Sequence, residues 1–213
     1  MNSITINTIF TRGEKSPKKI NSATSLTENN IAGDAHILAL LQQHGNYDQG
    51  FRLLVQQYRE RLYFHIRRMV GNHEDADDVL QNCFVKVYRN IHRFQQKSKL
   101  YTWLYRIATN EALTFLEKRN RIATDSLDNE DTSWSNKLKA DHFVNEDKTI
   151  KILEKAIETL PDKQKAVFNL RYYDEMSYAD MSEALETSQG ALKASYHHAV
   201  KKIEIYVREN ADK

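Results

Sequence analysis

Apolar residues recur at helical spacing through two blocks of the chain. From residue 36, Ile37, Leu40 and Leu41 share one helical face, and Gly45 ends that helix. Phe51, Leu54, Val55, Tyr58, Leu62, Ile66 and Met69 form a second helix, closed by Gly71-Asn72. The third is the most regular: Ala76, Val79, Leu80, Cys83, Phe84, Val87, Tyr88 and Ile91 alternate steps of three and one. Its first turn holds Glu74, Asp75, Asp77 and Asp78, where carboxylates meet the positive end of the helix dipole. After a polar stretch, Gln95 to Lys99, a fourth helix aligns Leu104, Ile107, Ala108, Ala112, Phe115 and Leu116 and ends at Lys118-Arg119-Asn120-Arg121. Residues 1–32 are rich in Asn, Ser, Thr and Lys and lack an apolar period, so they are expected to form a flexible tail.

The period lapses over residues 122–148, which hold Asp125, Asp128, Glu130, Asp131, Asp141, Glu146 and Asp147 and are expected to be a linker. Trp134 and Phe143 are out of character for a bare spacer. Periodicity returns with Ile150, Leu153, Ile157 and Leu160, and Pro161 suits the first turn of the next helix, which carries Val167 and Leu170. Ser177-Tyr178-Ala179-Asp180 has the form of a capping box, opening a helix with Met181, Ala184 and Leu185. The break Glu186-Thr187-Ser188 follows, with Ser188 placed to cap a last helix whose core face is Leu192, Tyr196, Ala199 and Ile203. Two short helices across a tight turn, the second with cations on its outer face, fit a helix-turn-helix. The expected fold is all-α: two small helical domains, 33–121 and 149–213, joined by an acidic linker, 122–148, the second domain carrying the helix-turn-helix.

Charge sharpens this division. Residues 51–121 carry 14 Lys+Arg against 7 Asp+Glu, and residues 122–148 carry 3 against 7, although the net charge of the whole chain is only +2. The basic block is where a polyanion is expected. Several classes are set aside by composition. With 6 Gly and 2 Pro the chain is short of the turn residues that a β-sandwich or a glycine-rich nucleotide fold needs. One Cys excludes an intrachain disulfide and a Cys-based zinc site. The longest apolar run, Ile37 to Leu41, is far short of the ~20 residues of a membrane span, and the start lacks a basic region followed by an apolar run. A cytoplasmic, soluble protein is expected, without membrane insertion. The 8 His show no metal spacing with carboxylates, and no nucleophile–base pair stands out. No catalytic residue, metal or cofactor is expected.

Two stretches carry a resemblance. The run Asp75-Ala76-Asp77-Asp78-Val79-Leu80-Gln81-Asn82-Cys83-Phe84-Val85-Lys86-Val87-Tyr88 resembles the polymerase-binding region of bacterial sigma factors. Phe94 and then Tyr101-Thr102-Trp103-Leu104-Tyr105-Arg106-Ile107-Ala108-Thr109-Asn110 resemble the promoter-melting segment of the same domain. Leu160-Pro161 and the run from Met176 through Ile203 look like the fourth sigma region. Without a large middle domain, the resemblance is to the extracytoplasmic-function (ECF) group of the sigma-70 family, over about three-quarters of the chain.

The resemblance implies a non-catalytic specificity subunit that binds core RNA polymerase and directs promoter-specific initiation, as an alternative, signal-responsive sigma factor. Asp77, Asp78 and Gln81 would dock on polymerase. Lys97, Ser98, Lys99, Tyr101, Trp103, Arg106 and Asn110 would hold the minus-ten element as a melted strand, which needs cations for phosphates and aromatic faces for bases. Gln189, Lys193 and His197, four apart, would face the minus-thirty-five element in the major groove, with His198 and Lys201 on phosphates. The chain departs from the family pattern at Asn82, where a glutamate is usual, and at Ser195, His198 and Val200, where arginines are common. The partners implied are core polymerase, promoter DNA (duplex and melted) and an anti-sigma factor, with a monomer when free.

The linker bears on geometry. Elements about 25 base pairs apart lie ~85 Å apart at 3.4 Å per pair. Residues 122–148 reach ~90 Å only when fully extended and average ~30 Å as a relaxed coil. The linker spans the promoter only if something holds it extended, as polymerase could; the resemblance implies a positively lined path, which its acids would suit. Two other classes stay open on the residues alone: a helix-turn-helix regulator that never touches polymerase, and a helical adaptor without DNA contact.

Overall fold

The computed structural model describes residues 23–43, 45–127 and 148–210. Among them are eight α-helices, a 3-10 turn and no strand: α1 (Ala23–Gln42), α2 (Tyr47–Val70), α3 (His73–Asn90), the turn Ile91–Arg93, α4 (Leu100–Leu127), α5 (Lys148–Glu158), α6 (Asp162–Tyr172), α7 (Tyr178–Leu185) and α8 (Gln189–Asn210). The all-α fold expected from periodicity is the fold observed.

Two boundaries differ from expectation. Helix α1 begins at Ala23, inside the stretch expected to be a tail, and α4 continues past Arg121 to Leu127. No Gly or Pro lies between Gly71 and Pro161, so nothing in the backbone stops α4 at Arg121. The Thr124 hydroxyl donates to the Asn120 carbonyl one turn back at 2.9 Å, consistent with continued helix. The first part of the tail, and the linker from Asp128 to Asp147 with Trp134 and Phe143, lie outside the described residues.

Local chemistry sets the other ends. Gly71 closes α2 at φ +98°, a left-handed conformation costly for any residue with a Cβ. Asn72 caps α3, its side chain accepting from the Asp75 amide at 2.8 Å. Ser177 caps α7 in the same way, accepting from the Asp180 amide at 3.1 Å, while its hydroxyl donates to the Asp180 carboxylate at 2.7 Å. The box therefore closes on the hydroxyl. Pro161 stands at the N-cap of α6, one position ahead of the expected first turn.

Packing turns on α6. In the first half, α1 lies on α2, and α2, α3 and α4 pack on one another around Leu54, Tyr58, Leu62, Ile66, Val79, Cys83, Leu104 and Ala108, all buried. In the second half, α5 and α6 pack on α8 around Ile157, Phe168, Ala199 and Ile203. Every residue of α6 from Lys165 to Leu170 is buried. An amphipathic surface helix buries one stripe; a helix buried all round is covered on both sides. Phe168 joins the core of the second half, whereas Ala166, Val167 and Leu170 join the core of the first, along with Met181, Ala184 and Leu192. The two halves are in direct contact.

Candidate polymerase and DNA interfaces

Asp77, Asp78 and Gln81 all lie exposed on α3, beside Asn82 and opposite the buried Val79, Leu80 and Cys83. The exposed stripe continues to Val85 and Tyr88, respectively 46% and 44% exposed, so an acidic start grades into an apolar end. Tyr88 was expected on the apolar face. It lies at the edge instead, its ring meeting Tyr47 and Phe51 edge-on. Asp75 belongs to the fold: Arg119 reaches its carboxylate at 3.2 Å and also donates to the Val70 carbonyl. Cys83 is core, and burial pushes its thiol up to about 12, which removes it as a nucleophile.

The seven minus-ten candidates fall into three groups. Lys99, Tyr101 and Arg106 face α7 of the second half. Lys99 pairs with Asp180 at 3.2 Å, and Tyr101 is hydrogen-bonded to the same carboxylate. Arg106 pairs with Glu186 at 3.2 Å and donates to the Glu183 carbonyl at 2.6 Å. Burial pushes the Asp180 carboxyl up, but the hydrogen bonds from Tyr101, Ser177 and Lys99 outweigh it, so it titrates below the usual carboxylate range. Burial, and then the bond to that carboxylate, raises the Tyr101 phenol.

Trp103 sits elsewhere. It is half-buried against Phe94, with ring centroids 5.4 Å apart, and borders an open groove with Lys86, Asn90, Arg93 and Ile107. Those two cations and the amide were not singled out from sequence. The signal was available, because Lys86, Asn90 and Arg93 follow each other by four and three. Lys97, Ser98 and Asn110 are not brought to the α7 contact; Lys97 and Asn110 are exposed and Ser98 is half-buried.

Beneath the α7 contact lies a buried polar cluster. His65, fully buried, meets the Asp174 carboxylate through Nδ1 at 2.7 Å and the Thr109 hydroxyl through Nε2 at 2.9 Å. Arg68 and the Tyr105 hydroxyl reach the other Asp174 oxygen at 3.4 and 3.2 Å. Tyr105 is itself buried, a core aromatic with its hydroxyl in this cluster.

Gln189, Lys193, His197 and Lys201 form one exposed row down α8, with His198 exposed beside it. Ser188 caps this helix through the Ala191 amide at 3.3 Å. The Lys193 ammonium lies 5.6 Å from the centre of the Tyr178 ring. Ser195 and Val200 are half-buried, so the positions where relatives carry arginine are not fully open here. Among the described residues, no group of three or more His, Cys, Asp or Glu is placed to hold a metal ion, and no helix is long and apolar enough to cross a membrane.

Residues 54–122 match the family Sigma-70 region 2, and residues 150–203 match Sigma-70, region 4. Those two regions, in that order on a helical chain, define the class: an initiation factor of the sigma-70 type. The chain is 31% identical over 155 residues to the ECF RNA polymerase sigma factor SigW of Bacillus subtilis, covering 69% of this chain and 83% of that protein. It is 31% identical over 165 residues to the ECF RNA polymerase sigma-E factor of Haemophilus influenzae, covering 73% and 86%. It belongs to the ECF sigma factors, which direct promoter-specific transcription initiation as alternative sigma factors. The fold is similar to that of RpoE in complex with the anti-sigma factor NepR from Bartonella quintana, with a TM-score of 0.61 at 19% identity over 75% of this chain and 98% of that one. It is also similar to CnrH in complex with the cytosolic domain of CnrY, with a TM-score of 0.60 at 18% identity over 84% and 99%.

Proposed function

We propose that this sigma factor divides its work between residues 33–121 and residues 149–213. The first part docks on core polymerase through Asp77, Asp78 and Gln81 and holds the melted minus-ten element with Lys97, Ser98, Lys99, Tyr101, Trp103, Arg106 and Asn110. The second reads the minus-thirty-five element with Gln189, Lys193 and His197, steadied on phosphates by His198 and Lys201. Residues 122–148 connect them along polymerase. The protein itself catalyses nothing and works in the cytoplasm with the polymerase. An anti-sigma factor controls it, as the sigma factor RpoE, of similar fold, is bound by the anti-sigma factor NepR.

The observation that carries this assignment is the α8 row. Four polar side chains, each four residues after the last, stand exposed on a helix whose other face holds Leu192, Ala199 and Ile203 in the core. Such a row lies outside the core, and its spacing suits one wall of a major groove. The test is transcription by purified bacterial core polymerase on a library of promoter fragments, with and without the protein. Transcripts that require the protein, and that lose their minus-thirty-five preference on Gln189→Ala, support the assignment. Unchanged promoter preference in that variant would refute it. Retained duplex binding without any transcript would favour a regulator that never meets polymerase.

A further inference from the structure

Three helices of the second half meet at one aromatic ring. The Lys193 ammonium lies 5.6 Å from the centre of the Tyr178 ring, and the Arg171 guanidinium lies 5.1 Å from the same centre. Both fall within the reach of about 6 Å over which a ring face attracts a cation. Arg171 comes from the last turn of α6, Tyr178 from the first position of α7 and Lys193 from the second turn of α8.

The ring has a fixed seat. Tyr178 is half-buried and directly follows Ser177, the cap of α7. The loop before it is tied back to α6 twice: the Met176 amide donates to the Leu170 carbonyl at 2.9 Å, and Arg171 donates to the Met176 carbonyl at 3.0 Å. The backbone beneath Lys193 is fixed too. The Leu192 amide donates to the Ser188 carbonyl at 3.0 Å, and the Leu192 side chain is buried. Only the Lys193 side chain, which is exposed, is left to be ordered.

That ordering matters more here than on a helix rich in arginine. Lys193 is the only Lys or Arg between Gln189 and Val200. A guanidinium is a planar fork that brings its own geometry, whereas an ammonium rides on a flexible four-carbon stem. A stem that binding must immobilise lowers affinity, and one already held loses less. A ring that draws the ammonium to itself supplies that restraint from a neighbouring helix.

We propose, resting on the assignment of Lys193 to a base of the minus-thirty-five element, that Tyr178 is a positioning residue for promoter reading: its ring holds the Lys193 ammonium in place before DNA arrives. Tyr178 then sets how sharply the element is read at the one position that Lys193 touches, and Arg171, on the same ring, helps to seat it.

The test measures holoenzyme, made with the full-length protein, on fluorescent promoter duplexes that carry each single-base change across the minus-thirty-five element. The position at which Lys193→Ala abolishes discrimination marks the base that Lys193 reads. Tyr178→Leu should weaken binding about two- to fivefold on duplexes with the preferred base there and leave the others near the parent value. Tyr178→Phe, which keeps the ring, should bind as the parent does. In the Lys193→Ala background, Tyr178→Leu should have no further effect, because the pair has nothing left to couple. Tyr178→Met, which also lacks a ring, replaces the leucine variant in the same cycle if that variant melts early. A loss that is equal on every duplex, or that persists undiminished in the Lys193→Ala background, overturns the positioning role, as does a loss in Tyr178→Phe as large as in Tyr178→Leu. The assignment of Lys193 fails separately, if Lys193→Ala leaves the order of minus-thirty-five preference unchanged, whatever the Tyr178 variants show.

Discussion

The α8 row predicts a split between side chains that choose the promoter and side chains that only hold it. Gln189 opens the helix and Lys201 lies three turns on, about 18 Å further along the axis at 1.5 Å per residue. The major groove is about 12 Å wide, so both ends of the row cannot face base edges. A helix entering by its N-terminal end would place Gln189 and Lys193 on bases, His197 at the groove edge and Lys201 against the backbone. Gln189→Ala should then cost about 1–3 kcal/mol at promoters with the preferred base and almost nothing at promoters already changed there. Lys201→Ala should weaken every promoter alike and lower the slope of log affinity against log salt by about 0.9. Holoenzyme binding to a set of minus-thirty-five variants, measured at several salt concentrations, reads both effects. The reasoning is refuted if Lys201→Ala alters the order of promoter preference, or if Gln189→Ala weakens all promoters equally.

Four further outcomes are expected. Asp78→Ala combined with Gln81→Ala should abolish association with core polymerase, read by co-elution, while leaving the thermal midpoint unchanged, because both side chains are exposed. Gly71→Ala should destabilise by about 1–2 kcal/mol because φ is +98° there, whereas Gly190→Ala, where an added Cβ meets open space in the first turn of α8, should be neutral or stabilise by about 0.5–1 kcal/mol in the same melt. Leu104→Ala, at a fully buried position, should cost about 2–5 kcal/mol in a denaturant titration. The Asp180 carboxyl titrates lower folded than unfolded, so it stabilises at neutral pH and that contribution is lost as pH falls through the acid range below about 4; the melting difference between parent and Asp180→Asn should shrink on acidification, and a constant difference would deny it.

Periodicity reveals what is buried against near neighbours. The α3 stripe Ala76, Val79, Leu80, Cys83 and Val87 is buried as its spacing predicts, and the caps at Ser177 and Ser188 are where the hydroxyls stand in sequence. The polar face of α8 was legible for the same reason: residues absent from the core stripe are free to line up outside. Helix α6 was less legible. Val167 and Leu170 mark one face, but that face, with Ala166, joins the core of the first half while Phe168 joins that of the second, so the helix is covered from both sides. A single helix carries no record of that.

The contact between the halves was illegible for a deeper reason. Its partners, His65 with Asp174 and Lys99 with Asp180, are polar residues far apart in sequence, and no period links them. Charge segregation was the one available clue, since a basic block and an acidic edge on one chain attract each other as surely as either attracts an outside partner. The ion pairs of the contact are not equivalent. Ion pairs at an exposed rim, such as Arg106 with Glu186, contribute only about 0–1 kcal/mol each and weaken with salt. Asp174 behaves differently, because its carboxylate is nearly enclosed and bonded from three directions, so stripping its partners away leaves a buried charge uncompensated.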